Sequence, residues 1–250
     1  MNFATILKQL LIQTQFGLCE ASLAAPQAEG RYPGVLFLMD AFGPRPYLTK
    51  MIQRLAANGY VVLLPNLFYR QKQTPIIDLD FPLRPEDMPE ARRQFMPFIQ
   101  NYDIESGLKD IGVFLEFLKQ QKNVHGKAAI TGYCMGGAMA IRAAAKYPES
   151  IYAVASFHAG HLATEKPDSP HLLLHNIQAK LYVAHADQDE SMPLDQIERF
   201  QQAVDQTTIR HQVEIYKNAA HGFTMEDLPA YNPEALTHHW KHLLKILSDD

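Results

Sequence analysis

One short segment constrains the fold of this chain more than any other. Residues Ala128–Ala145 run from an apolar stretch through Gly132-Tyr-Cys134-Met-Gly136-Gly137 into an alanine-rich segment suited to a helix. A strand, a sharp Gly-x-Cys-x-Gly turn and a helix make a nucleophile elbow, with Cys where most versions carry Ser. Glycines flank the cysteine because a Cβ there would collide with neighbouring backbone. We expect the turn to lift Cys134 above the sheet edge at the positive helix N-terminus, which favours thiolate.

The segments around the elbow predict a mostly parallel α/β sheet with helices on both faces. Continuous apolar runs at 33–39 and 60–64 are typical of buried strands, and the residues between them have a helical period. Further strands are expected at 127–131, 151–157, 180–184 and 211–216, helices at 104–121, 194–204 and 233–247, a loop at 167–175, and a hairpin or edge strands at 13–23. We therefore expect a single domain over residues 1–250.

Residues 66–101 interrupt the alternation of strands and helices. The segment contains five prolines and shows no strong period before about Glu90. A long irregular insertion inside a compact domain is usually functional or disordered. Its aromatic and aliphatic side chains favour an ordered, cap-like insertion over a pocket.

Composition and charge exclude several classes of partner. The net charge is −4 and no basic run occurs, which argues against a nucleic acid or an anionic membrane. No apolar run has the length of a membrane span, and the N-terminus lacks the features of a signal peptide. The chain has two cysteines, Cys19 and Cys134, so we do not expect a disulfide framework. We expect a cytoplasmic location, where thiols stay reduced. We interpret Cys19 as a small, partly buried side chain.

Two loops supply an acid and a histidine in the chain order of elbow enzymes, which is nucleophile, acid, histidine. His221 follows the last predicted strand on a loop of small residues, so we interpret it as the base. Asp187 and Asp189 both follow the preceding strand, and either can orient the base. We favour Asp189, which stands three residues after Ala186 and four before Pro193.

Backbone amides near the elbow are candidates for an oxyanion hole, which needs two N–H groups aimed at the developing charge. Met135 directly follows the nucleophile, and Ala41 lies in the loop after the 33–39 strand. Asp40 in the same loop is either a turn or N-cap residue or a carboxylate that faces Cys134.

No cofactor or metal is expected. The histidines at 158, 161, 171, 175, 238 and 239 have no acidic or cysteine partner at metal-ligand spacing, so we interpret them as structural or surface residues. No dinucleotide or phosphate-loop pattern occurs.

These motifs together resemble the dienelactone hydrolase family of α/β-hydrolases. The resemblance covers nearly the whole chain and rests on Asp40-Ala-Phe-Gly, the stretch at 59–70, Gly132-Tyr-Cys-Met-Gly-Gly, the Asp189 loop and His221-Gly-Phe. It implies an α/β-hydrolase fold and cofactor-free hydrolysis of a small ester or lactone. A Cys134–His221–Asp189 triad would act through a thioester.

The resemblance also implies further site residues. Asp40 stands where the family has a Glu that helps to generate the thiolate, and its side chain is one methylene shorter. Arg92, or its neighbour Arg93, matches one of two arginines that hold a substrate carboxylate in the dienelactone-specific members. The second position falls near Met225, which is uncharged, and this favours a different or broader ester preference.

A second hypothesis belongs to another class. The chain would be a non-hydrolytic α/β-hydrolase relative that binds a small ligand in the same cleft. The intact triad and the elbow glycines argue against it. For either hypothesis we expect a monomer or a small homo-oligomer that binds neither nucleic acid nor membrane.

Overall fold

The computed structural model of the protein describes residues 3–248. Its strands are β1 (Thr5–Thr14), β2 (Gly17–Pro26), β3 (Tyr32–Leu38), β4 (Val61–Pro65), β5 (Val124–Tyr133), β6 (Ile151–Phe157), β7 (Lys180–Gln188) and β8 (His211–Ala220). Its helices are α1 (Pro46–Ala57), α2 (Met88–Gln100), α3 (Ile104–Lys119), α4 (Met135–Lys146), α5 (Leu194–Asp205) and α6 (Pro233–Leu247). Short 3-10 turns cover Pro85–Asp87 and Pro170–Asn176.

The strands form one mixed sheet in the order β1-β2-β4-β3-β5-β6-β7-β8, with helices on both faces. The chain forms two compact units. One is made by residues 3–80 with 85–129, and the other by residues 81–84 with 130–248. Single-domain behaviour stays a prediction.

The first unit is built on the hairpin of β1 and β2 and on the parallel pair β3 and β4. The hairpin closes with Thr14 opposite Gly17, and β2 runs antiparallel to β4. Helix α1 begins at Pro46, whose fixed φ suits a first helical position, and it buries one apolar face. Helix α3 begins where the Asp103 carboxylate accepts the amide of Glu105.

The second unit holds the carboxyl-terminal part of β5 and the parallel strands β6, β7 and β8. Helix α6 starts at an Asn232 cap, whose side chain accepts the Ala235 amide at 3.0 Å, and it buries Trp240 and Leu243. The carboxyl ends of parallel strands meet at one sheet edge, so the loops after β6, β7 and β8 lie side by side there.

The structure differs from the sequence-based expectations mainly at element ends. Strand β1 begins at Thr5, earlier than the predicted hairpin. The sequence does not predict this start because the exposed leucines of the strand mask its inside–outside alternation. The predicted loop at 167–175 contains the 3-10 turn, which Pro170 opens. The insertion at 66–101 is irregular only to residue 84 and then forms α2. Among the helices of residues 3–248, none combines the length and hydropathy needed to span a bilayer.

Candidate active site

Cys134 lies at the tip of the turn between β5 and α4. Its backbone adopts φ 54° and ψ −121°, a combination that costs energy for a non-glycine residue and is typical of functional sites. Backbone hydrogen bonds hold the turn. The Cys134 amide donates to the Phe157 carbonyl at 3.1 Å, and the Cys134 carbonyl accepts the Gly137 amide at 3.0 Å. The thiol therefore stands at the N-cap of α4, where the helix dipole favours negative charge.

Close backbone packing explains the glycines of the elbow. A Cβ on Gly132 would lie 2.1 Å from the Gly136 carbonyl oxygen, and one on Gly137 would lie 2.7 Å from the Ser156 hydroxyl. Both distances are shorter than any real Cβ contact. A larger residue at Gly132 would therefore have to displace the backbone of the turn that holds Cys134, and one at Gly137 would have to displace the Ser156 side chain.

The loops after β7 and β8 bring an acid to the candidate base. The Asp189 Oδ2 atom lies 2.7 Å from His221 Nδ1, and the carboxylate is buried. The ring of His221 also hydrogen-bonds the Cys134 side chain. Because Nδ1 is engaged by Asp189, Nε2 is the nitrogen left for the sulfur. The second unit thus contains a continuous Asp189–His221–Cys134 chain.

Ser191 and Asp187 hold the two loops in place. The Ser191 amide and hydroxyl donate to Asp189 Oδ1 at 2.9 and 2.6 Å, and the same hydroxyl lies 3.2 Å from His221 Nδ1. Asp187 accepts the amides of Asn218 and Ala219 at 2.9 and 3.0 Å. The two aspartates therefore have different roles, since Asp189 contacts the histidine and Asp187, near the end of β7, binds the backbone of β8.

Electrostatics favour a protonated His221 ring. Burial opposes a charge on His221, but the charge interaction with Cys134 and the hydrogen bond that the ring donates to Asp189 outweigh it, and the pKa of His221 lies well above its usual value. Burial likewise raises the pKa of Asp189, whereas hydrogen bonds from His221 and Ser191 lower it more, so the net shift is downward. The geometry thus supports proton movement between sulfur and imidazole.

Asp40 takes part in a buried ion pair. Its two carboxylate oxygens accept Arg45 Nη1 at 2.7 Å and Nη2 at 2.9 Å, and Oδ1 also accepts the Phe42 amide at 3.0 Å. Both charged side chains are almost wholly excluded from solvent. The carboxylate therefore closes its own turn, and bidentate pairing fixes its orientation.

The other predicted site residues occupy varied environments. Met135 is the first residue of α4, so its amide is among those without a partner inside the helix. Ala41 is buried in the turn after β3. Arg92 and Arg93 are exposed on α2, and Arg93 pairs with Glu90 through both ends of its guanidinium. Their predicted roles stay predictions.

Two side chains contact the histidine in ways that the sequence does not predict. Ser191 belongs to the acid loop, and His158 is a buried residue directly after β6 whose ring lies against His221. Ser191 lies three residues past the end of β7 and His158 directly follows β6, and nothing else in the local sequence marks either residue. Within residues 3–248, no group of three or more His, Cys, Asp or Glu side chains is arranged to hold a metal ion.

Comparison with known proteins places this geometry in a family. The model of the dienelactone hydrolase family matches residues 19–249. The chain belongs to the dienelactone hydrolase family. A Synechocystis sp. protein provisionally named carboxymethylenebutenolidase is 27% identical over 231 residues, which are 91% of this chain and 90% of that protein. A carboxymethylenebutenolidase of Pseudomonas sp. (strain P51) is 34% identical over 119 residues, 48% of this chain and 47% of that one.

Solved structures confirm the α/β-hydrolase fold. A chain from Klebsiella pneumoniae superposes with a TM-score of 0.85 at 21% identity, covering 99% of this chain and 100% of its own length. A dienelactone hydrolase-like promiscuous phosphotriesterase from metagenomic libraries superposes with a TM-score of 0.79 at 19% identity and covers 98% of both chains. Membership of the dienelactone hydrolase family makes the protein an enzyme of the ester and lactone hydrolase type.

Proposed function

We propose that this member of the dienelactone hydrolase family hydrolyses small carboxylic esters or lactones through a thioester on Cys134. The observation that carries the proposal is the hydrogen-bonded chain from Asp189 through His221 to Cys134, with the cysteine at a strained elbow and a helix N-terminus. A nucleophile, its base and an orienting acid in this arrangement are what acyl transfer requires.

The reaction has two halves. In the first, the Cys134 thiolate attacks the substrate carbonyl, the carbon–oxygen bond to the alcohol breaks, and the His221 imidazolium protonates the departing alkoxide. In the second, a water gives a proton to His221 and attacks the thioester, which releases the acid and returns the sulfur as thiolate. Asp189 holds the ring and stabilises its positive charge throughout.

Backbone amides would stabilise the oxyanion in both halves. We assign Met135 to this role because its amide follows the nucleophile at the start of α4, and Ala41 because of its position after β3. We retain Asp40 as a candidate for thiol activation and Arg92 or Arg93 for substrate binding. The pairing of Asp40 with Arg45 means that activation would require this ion pair to loosen.

The substrate class follows from the family and from one uncharged position. The resemblance to the dienelactone-specific members implies that their second arginine falls near Met225, which is fully buried and uncharged. We therefore propose a different or broader ester and lactone preference than that of the dienelactone-specific members.

A burst experiment tests the proposal. Wild-type protein mixed with p-nitrophenyl acetate should release about one equivalent of p-nitrophenolate rapidly and then turn over more slowly. Cys134→Ala should abolish both phases, and prior treatment with iodoacetamide should do the same. Cys19→Ala is the matched control, because Cys19 is buried and burial raises the pKa of its thiol to about 12, so its loss should leave the burst intact. An unchanged burst in Cys134→Ala would overturn the proposal.

A further inference from the structure

His158 occupies the first position after β6 and is almost completely buried. Its backbone φ is 39°, in the left-handed region that non-glycine residues rarely adopt. A histidine held with this conformation and this degree of burial is costly, and such costs are concentrated at functional sites.

The backbone around His158 joins the strands that carry the acid and the nucleophile. The carbonyl of Phe157 accepts the Cys134 amide at 3.1 Å, and the His158 amide donates to the Ala184 carbonyl of β7 at 2.9 Å. Asp189 lies five residues after Ala184, just past the end of β7. The Phe157-His158 dipeptide therefore sets the spacing between the elbow and the acid loop.

The side chain of His158 contacts the turn that carries the base. Its Nε2 atom lies 2.8 Å from the Thr224 hydroxyl, three residues after His221. Its ring also meets the His221 ring with centroids 5.4 Å apart and an interplanar angle of 66°. One side chain thus makes a hydrogen bond and an edge-to-face ring contact with the same turn.

These contacts restrain a movement that the triad bonds leave open. Asp189 and Cys134 bond the two nitrogens of His221, which fixes the ring within its own plane. The His221 side chain is one third exposed, so solvent lies along part of the ring. The contact with His158 opposes tilting of the ring out of line with its two partners.

His158 can do this because it is neutral. Burial and the charge of His221 hold the pKa of His158 well below its usual value. The titratable groups that face it are His221, Asp189, His239 on α6 and Tyr133 on β5. A neutral ring neither repels the His221 imidazolium nor competes for the Asp189 carboxylate.

We propose that His158 is a positioning residue for the hydrolytic reaction, in which its buried ring and its hydrogen bond to Thr224 hold His221 in line with Asp189 and Cys134. This inference rests on the proposed function, since it assigns His221 as the base. It adds a residue to the acid, base and nucleophile that touch the reacting atoms.

Removing the hydrogen bond while keeping the shape tests the proposal. Thr224→Val and His158→Phe should each lower kcat about 10- to 100-fold with KM changed less than about twofold, since small misplacements of catalytic groups cost rate rather than binding. His158→Gln, whose amide can reach the place of Nε2, should recover part of the loss. His161→Gln is the control, since that side chain is exposed on the same loop and its residue also has a positive φ, and the variant should stay near wild type.

Alkylation of Cys134 by iodoacetamide gives a second measurement that needs no substrate. In Thr224→Val and His158→Phe the rate profile should move to higher pH by about half a unit or more, because the imidazolium is held less closely against the sulfur. If the variants unfold at lower temperature but keep the wild-type kcat and alkylation profile, His158 is only structural and the proposal is wrong. A wild type that hydrolyses no ester would overturn the proposed function, and the alkylation profiles would still decide the role of His158.

Discussion

Replacing Asp189 by Asn should disable the base by reversing the protonation of its ring. The Ser191 amide and hydroxyl both donate to Asp189 Oδ1, so the carbonyl oxygen of an Asn would take that place. Its amide NH2 would then occupy the place of Oδ2, which lies 2.7 Å from His221 Nδ1. Two donors cannot face each other, so the ring would move its proton to Nε2. That nitrogen could then no longer take a proton from Cys134.

The expected fall in kcat follows from two changes at His221, the wrong tautomer of its ring and the missing charge of Asp189. A wrong tautomer in a catalytic triad lowers kcat by about 10³- to 10⁴-fold, which is about 4–5 kcal/mol of activation free energy. The pKa of His221 should fall in the same variant, because the hydrogen bond and the charge of Asp189 both help to raise it. We expect Asp189→Asn to lose activity within this range while it remains folded.

Asp187→Asn is the matched control, with the same chemical change two residues away. Asp187 accepts two backbone amides, of which the Asn oxygen can keep one, so we expect a loss of less than about tenfold. Initial rates with p-nitrophenyl acetate give kcat and KM for both variants, and thermal unfolding checks that each is folded. If Asp187→Asn loses as much activity as Asp189→Asn, Asp189 is not the residue that orients the base.

Three further predictions test the site. Gly132→Ala places a Cβ 2.1 Å from backbone and forces a shift of about 1 Å at the elbow, so kcat should fall about 100-fold. Gly126→Ala, strained by its φ of 71° but with open space around it, should cost about 1 kcal/mol of unfolding free energy and little activity, and equal kcat losses would contradict this. Ser191→Ala removes one neutral donor to the acid, so kcat should fall about three- to tenfold, and an unchanged kcat would show that the hydroxyl is dispensable. Because the pKa of Asp189 is lowered on folding, its charge stabilises the protein above about pH 4 and this contribution is lost as pH falls through the folded-state pKa. The free energies of unfolding of wild type and Asp189→Asn, measured with urea, should therefore converge at acid pH. A constant difference between them down to about pH 2 would contradict this.

Local patterns were enough to predict the elbow and the order of the loops. The steric demand at Gly132 comes from backbone four residues away, so a short motif contains the whole reason for it. The preference for Asp189 over Asp187 rested on loop position, and the structure brings Asp189 to His221. Parallel strands explain this proximity, because their loops meet at one edge whatever the details of packing.

Contacts between distant segments were beyond the sequence. The hydrogen bond of His158 joins residues 66 apart, and nothing in the local pattern distinguishes this histidine from an ordinary core residue. The pairing of Asp40 with Arg45 depends on a turn in which Gly43 has a φ of 80°. That backbone conformation, rather than the spacing of five residues, brings the two charges together.

The central claim is that Cys134 carries the acyl group. Wild-type protein mixed with p-nitrophenyl acetate, quenched with acid during the burst and digested should show one acetyl group on the Cys134 peptide by mass spectrometry. We expect the same adduct to be absent from Cys134→Ala and from the peptide that contains the buried Cys19. An adduct elsewhere in the wild type, or full turnover by Cys134→Ala, would contradict a thioester mechanism at the elbow.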